Sequence, residues 1–203
     1  MIKNNFQLEQ EELESMGNNK RILLHSCCAP CSSHVISVLT KYADITIFYY
    51  NPNISPIDEY EKRKKEQIRL INEINKEHSV DIIDCDYDND LYESLIKGYE
   101  SCPERGDRCN ICFNLRLEKT AKMAKMLNYD YFCSTLSVSP YKNAKLINDI
   151  GEQISKKYNI KWLHSDFKKQ DGYKHSIELS HKYNLYRQDY CGCKYSIRNN
   201  KYE

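Results

Sequence analysis

Short β-branched and aromatic stretches alternate along this chain with longer segments of helical periodicity. The stretches 21–25, 44–50, 80–85, 131–136 and 160–164 are apolar runs of strand length and read as buried strands. Between them the apolar positions recur at helical spacing. Ser55-Pro56 opens a long helix, with Ser as cap, Pro in the first position and Asp58 and Glu59 in the first turn. Ile57, Tyr60, Ile68, Ile71 and Ile74 fit one face of it, and Ile147, Ile150, Ile154 and Tyr158 align in a helix over 143–158. Further helices are predicted from Ser32 or Ser33 to about Tyr42, and over 89–98, 110–127 and 173–184.

Strand-then-helix alternation of this kind predicts an α/β architecture with a largely parallel sheet. Residues 1–19 read as a polar extension with one short helix, and 20–203 as a single domain. Reactive loops of such sheets lie beyond the carboxyl ends of the strands. The run from His25 to Ser32, the segment from Ser134 to Lys142, and Ser165 to Lys168 all fall there.

Composition changes the picture little. Apolar residues make up 40% and charged residues 29%, which excludes a disordered chain. No apolar stretch reaches the roughly 20 residues that span a bilayer, and the N-terminus lacks the apolar segment of a leader. The expectation is a cytoplasmic protein without a membrane partner, whose thiols stay reduced. A net charge of +1 provides no global attraction to nucleic acid, which leaves room only for a local basic face. Lys62-Arg63-Lys64-Lys65 reads as a solvated helix face. The tail carries Arg187, Lys194, Arg198 and Lys201 beside two cysteines.

The candidate chemistry lies in the ten cysteines. Six form three tight pairs: Cys27-Cys28, Cys109 with Cys112, and Cys191 with Cys193. Gathered thiolates hold a metal or an iron–sulfur cluster, or store two electrons as a disulfide. Cys31 lies just before an expected helix start, and Cys109 and Cys112 open another helix near Arg105, Arg108 and Arg116; both settings favour thiolate. Adjacent residues point opposite ways on a strand, so Cys27 and Cys28 converge only in an irregular loop, or else serve two centres. Gly192 allows a bend between Cys191 and Cys193, suited to a strained disulfide or to a metal. Cys85 and Cys133 read as buried core thiols, Cys102 as a loop residue, and His25 as a core or supporting residue. Structural zinc, an iron–sulfur centre and thiol–disulfide exchange all remain open at this point.

The longer motifs separate them. HSCCAPCS, RCNICFNLRL, STLSVSPYKN, DFKKQDGY and LYRQDYCGCKYS, in order from Arg21 to Ser196, resemble the QueH-type epoxyqueuosine reductase family. The resemblance implies reduction of epoxyqueuosine to queuosine at the wobble position of a tRNA anticodon, the last step of queuosine biosynthesis. It implies a fold similar to the nucleotide-binding (HUP) α/β proteins, with HSCCAPCS in place of their glycine-rich phosphate loop, and so no use of ATP. It also implies a 4Fe–4S cluster held by Cys27, Cys28, Cys109 and Cys112, and a redox-active pair Cys191/Cys193. A second metal ion, iron or zinc, beside a three-cysteine cluster is the alternative. Many members carry Asp where this chain has Cys31, and thiolate can replace carboxylate on iron.

Turning an epoxide into an alkene takes two electrons and two protons, which favours a cluster with three protein ligands and one open iron. An electron donor, of unidentified nature, is therefore a required partner beside the tRNA. Asp166, Tyr141, Lys142 and Tyr190 are the candidate proton donors. Lys142, Lys168, Lys169, Arg187 and Arg116 are candidates for RNA phosphates, and Tyr141, Phe167 or Tyr186 for stacking on a base. The rival functions are a zinc-organised RNA-binding module and a protein thiol–disulfide oxidoreductase.

Overall fold

A computed structural model describes residues 3–75 and 79–197. Five strands, β1 (Arg21–His25), β2 (Asp44–Phe48), β3 (Val80–Ile83), β4 (Tyr131–Ser134) and β5 (Lys161–Trp162), form one sheet in the order β3-β2-β1-β4-β5. Every pairing is parallel, with His25 level with Phe48 on one side and Ser134 on the other. The expected strand set is present, every strand but β1 shorter than its apolar run. Strand alternation divides the core. Ile22 and Leu24 join Ile45, Ile47 and Cys133 on one face, while Leu23, Phe48, Phe132 and Trp162 pack on the other.

Seven α-helices are present among the described residues: α1 (Asn5–Glu14), α2 (Ala29–Leu39), α3 (Ile57–Ile74), α4 (Asn89–Leu95), α5 (Asp107–Met126), α6 (Ala144–Tyr158) and α7 (Gly172–Lys182). Among the described residues no helix is long and apolar enough to cross a membrane. α5 and α6 supply one core with Phe113, Leu117, Ile147, Ile150 and Ile154; α2, α3 and α7 cover the other face. α1, inside the stretch expected as an extension, docks on this unit. Leu13 is buried in the main core, Glu12 Oε1 meets His164 Nδ1 at 2.7 Å, and Glu9 accepts from the Asp166 amide at 2.6 Å.

Two helices depart from their expected form. α2 begins at Ala29, not at Ser32 or Ser33, because Cys28 takes the extended cap position and Pro30 fits the first turn, where no amide is needed. Cys31 therefore lies inside the first turn. In α3 the buried face runs through Tyr60, Arg63, Gln67, Leu70, Ile71 and Ile74, while Ile57 and Ile68 are exposed. The basic run is thus not wholly solvated: Arg63 is 2% exposed. It points toward the cysteine edge of the sheet, where polar partners await it.

The strand order reverses between β1 and β4, so the connections that leave their carboxyl ends run to opposite sides of the sheet and bound a crevice there. The cysteine run follows β1 directly, and a 3₁₀ turn, Thr135–Val138, follows β4.

Candidate functional site

Cys28 caps α2 and Cys31 is its third residue, positions whose side chains face each other at any helix start. Cys27 turns inward from the irregular step after β1. The three sulfurs lie within 4.8 Å of one another, with Cys27 and Cys28 Sγ 3.8 Å apart. The adjacent cysteines thus converge in a loop. S–H donation from Cys28 and Cys31 drops the Cys27 thiol well below its ordinary range, leaving Cys28 pushed up to about 11 and Cys31 raised further. Thr135 Oγ1 donates to Cys27 Sγ at 3.4 Å, linking the β4 loop to the triad.

A second group lies across the crevice. Cys109 and Cys112 are one turn apart near the start of α5, and Cys191 and Cys193 are brought to them by the tail. The tail is strapped down by the Ser55 amide to the Gly192 carbonyl at 2.9 Å, and by Tyr190 Oη to the Ser55 carbonyl at 2.9 Å. Gly192 has φ 105°, and a Cβ there would press on Ile54 and Arg63, so glycine is required. Contrary to the helix-start expectation, burial outweighs the nearby arginines: Cys109 is raised and Cys112 is pushed up to about 12. These two remain thiols until a metal replaces their protons. Cys191 and Cys193 are free thiols in this structure.

The two groups line adjoining cavities. An outer cleft of about 220 Å³ touches Cys27, Cys31 and Cys191, and a recess of about 40 Å³ touches Cys109, Cys112, Cys191 and Cys193. Cys191, Lys142 and Tyr141 line both. Burial pulls the Lys142 ammonium down, but the charges of Cys191, Cys27 and Cys31 outweigh it and hold its pKa above the ordinary range.

Of the other candidate residues, Arg187 lines the outer cleft at its rim, with Nη1 on Ser180 Oγ at 3.0 Å. Tyr141 is 56% exposed, with the Arg105 guanidinium 5.8 Å from its ring centre. Asp166 and Lys168 pair with each other and line neither cavity; the Asp166 amide, not its carboxylate, meets Glu9 of α1. Phe167 is buried in the core, and Tyr186 donates to Glu59 under Lys62, so neither offers a free face to a base. Arg116 is buried against Cys112 in the wall of the outer cleft. Cys133 is a core thiol, whereas Cys85 is half-buried with its thiol on the Tyr49 carbonyl. Arg198 and Lys201 lie outside the described residues.

Sequence reading missed Tyr92 and Gln67 here, and took Arg108 only as a charge near Cys109 and Cys112. Tyr92, 1% exposed on α4, places its hydroxyl 3.2 Å from Cys193 Sγ. Gln67 accepts from Ser26 and Ser32 below the triad while its buried Nε2 has no partner. Arg108, also buried, ties the carbonyls of Tyr99, Glu100 and Cys102 to that of Tyr195. Only the helical phase of α3 could have flagged Gln67, since a polar residue on the inward stripe signals a buried function.

Seven sulfurs around two joined cavities, with an unpartnered buried amide beneath them, make a donor set suited to a thiophilic metal group. A chain-wide comparison agrees with that chemistry. Residues 22–199 match the family model described as Epoxyqueuosine reductase QueH. The chain is 45% identical over 179 residues to a protein of that name from Streptococcus pyogenes serotype M1, covering 87% of this chain and 70% of the relative. It is 46% identical to one from Staphylococcus epidermidis, covering 90% and 79%, and 33% identical to one from Thermotoga maritima, covering 87% and 90%. By these measures the chain belongs to the epoxyqueuosine reductase QueH family.

Proposed function

We propose that this protein reduces epoxyqueuosine to queuosine in a tRNA anticodon, acting in the cytoplasm with a cysteine-held iron–sulfur group. The observation that carries this reading is the meeting of two cysteine groups in one cleft, joined at Cys191 and Lys142. The donor set suits a 4Fe–4S cluster, with Cys27, Cys28, Cys109 and Cys112 as its first candidates. Cys31, Cys191 and Cys193 remain for a second iron or zinc ion, or for a redox-active pair. When bound, such a group supplies electrons one at a time and an electrophilic site for oxygen.

The chain's own residues supply position and protons. The overall change is epoxide plus two electrons and two protons to alkene plus water. Lys142 lines both cavities beside the cysteines and is the candidate donor by position, with Tyr141 beside it. Asp166 ranks below them because it lines neither cavity. Tyr141, exposed beside Arg105, is placed to stack on an everted base, and Arg187 to meet a phosphate. Lys168 and Lys169 would extend that contact. The burial of thiols at Cys109 and Cys112 supports metal loading coupled to proton release. An external one-electron carrier must supply the reducing equivalents.

Mass spectrometry of tRNA nucleosides from cells lacking the protein tests the substrate. Accumulated epoxyqueuosine is expected; unchanged queuosine, with no second reductase present, would refute the reading. A zinc-organised RNA module predicts instead that Cys191→Ser and Cys193→Ser leave queuosine levels unchanged. A protein thiol–disulfide oxidoreductase predicts activity without iron.

A further inference from the structure

Arg116 lies on α5 one turn beyond Cys112 and is 2% exposed. Its Nε donates to His25 Nε2 at 3.2 Å, its Nη2 to Asn51 Oδ1 at 2.6 Å, and its Nη1 approaches Cys112 Sγ at 3.8 Å. Those partners fix it from three sides. Asn51 is itself pinned, its Nδ2 on the Ser26 carbonyl at 2.8 Å, and His25 Nδ1 bonds Ser134 Oγ at 2.9 Å. The His25 ring stays neutral, held down to about 3 by burial and then by the Arg116 charge. Its Nε2 faces both the guanidinium and the Tyr50 carbonyl, the latter at 3.1 Å, and accepts from Arg116 in the tautomer that carries its proton on Nδ1.

No carboxylate among the described residues forms an ion pair with Arg116. A buried guanidinium without an anion is strongly disfavoured. The groups that can supply the anion are sulfurs, Cys27 as it stands and Cys112 once a metal replaces its proton: burial opposes the Arg116 charge, while Cys112, Cys27 and Cys191 favour it. These three belong to both cysteine groups, and Arg116 also lines the outer cleft. A rigid positive charge therefore stands between the two sets of sulfurs.

We infer that Arg116 is a positioning residue for electron uptake, a braced counter-charge that raises the reduction potential of the metal–thiolate group held by the surrounding cysteines. The inference rests on the iron–sulfur reading above. Reduction adds one electron from a one-electron carrier; no bond breaks and no proton moves. A fixed positive charge in a dry site stabilises the more negative, reduced form. Lys142 carries the same sign but sits on a long flexible stem, whereas the guanidinium fork holds its geometry.

The test compares wild type, Arg116→Lys, Arg116→Gln and Asn51→Asp. Each protein is reconstituted anaerobically with ferrous iron and sulfide, then titrated with dithionite and redox mediators while its visible and EPR spectra are recorded. The charge-keeping Lys variant should stay near wild type. The Gln variant should shift to a more negative potential by about 59 mV or more, a tenfold change in a one-electron equilibrium, or lose the cluster while keeping its fold. Asn51→Asp keeps both the volume and Arg116 but neutralises it locally, so it should shift the same way. That variant decides the question if Arg116→Gln fails to fold by circular dichroism. Lys and Gln variants that behave alike, or a folded Asn51→Asp at the wild-type potential, overturn the inference. Wild type that forms no cluster overturns the iron–sulfur reading and this inference with it, whereas unmoved potentials in cluster-bearing proteins sink only the inference.

Discussion

Cys31 occupies the helix position at which a side chain turns back toward the cap, so its sulfur is delivered to Cys27 and Cys28 by backbone geometry alone. Asp at that position would present an oxygen to the same point. Cys31→Asp should therefore retain iron after anaerobic reconstitution, and Cys31→Ala should hold less; full iron content in the Ala protein would put Cys31 outside the donor set. Tyr92 offers a second test at this scale. Its hydroxyl meets Cys193 Sγ in a pocket closed by Ile96 and Cys112. Tyr92→Phe keeps the packing and deletes one hydrogen bond, so urea unfolding should show a loss of about 1 kcal/mol. Faster alkylation of Cys193 should accompany it, and an unchanged protein by both measures would deny the contact.

At the scale of elements, the joint between α2 and α7 holds the triad's helix in place. Gly172 begins α7, and a Cβ there would overlap the Phe167 carbonyl and come within 2.5 Å of His34 Nε2. Gly172→Ala should destabilise the fold by at least about 1–3 kcal/mol, the usual cost of overpacking, read from denaturant midpoints. The same joint carries a pH dependence. His34 Nδ1 lies 2.9 Å from His175 Nδ1, and His34 Nε2 faces the Phe167 carbonyl. Burial, then the His175 and Lys41 charges, lower His34 from 6.5 to about 4. The unfolded chain therefore binds a proton first as pH falls. The neutral ring's contribution is complete above about 6.5 and drains away as pH falls toward about 4. In His34→Gln the difference in stability from wild type should shrink across that window; a constant difference would contradict it.

The whole molecule is a parallel sheet whose reactive edge is closed by its own C-terminal tail. Arg69 Nη2 holds the Tyr183 and Asn184 carbonyls at 2.9 and 3.0 Å, Ser55 holds Gly192, and Arg108 holds Tyr195. The tail adds Cys191 and Cys193 to a site that begins far earlier in the chain, at Cys27. With a net charge of +1 and only Lys142, Arg116 and Arg187 of the basic candidates lining the outer cleft, RNA contact should be local. Binding of an anticodon stem-loop, followed by fluorescence anisotropy, should weaken with salt at a slope of about −1.4 to −3, as for two to four phosphates at about −0.7 each. A slope near −7 would mean that the RNA is wrapped.

The order of strands and helices was legible in the sequence because apolar periodicity is a local signal, and so was the cysteine set, since the motifs around it are contiguous. Helix starts were less legible: Cys28 as the cap of α2 has no capping side-chain bond to announce it. The inward stripe of α3 was misread because Arg63 and Gln67 are polar by type and buried only through partners on other elements. Tertiary structure alone decided that Cys27, Cys28 and Cys31 form one group and the other four cysteines a second, with Arg116 between them. It also decided that the Asp166 carboxylate pairs with Lys168 and lines neither cavity. The physical reason is common to all of these. Local sequence determines which residue types are present and which face each takes along its own element. Burial, charge pairing and the protonation of a thiol depend on neighbours brought from distant parts of the chain.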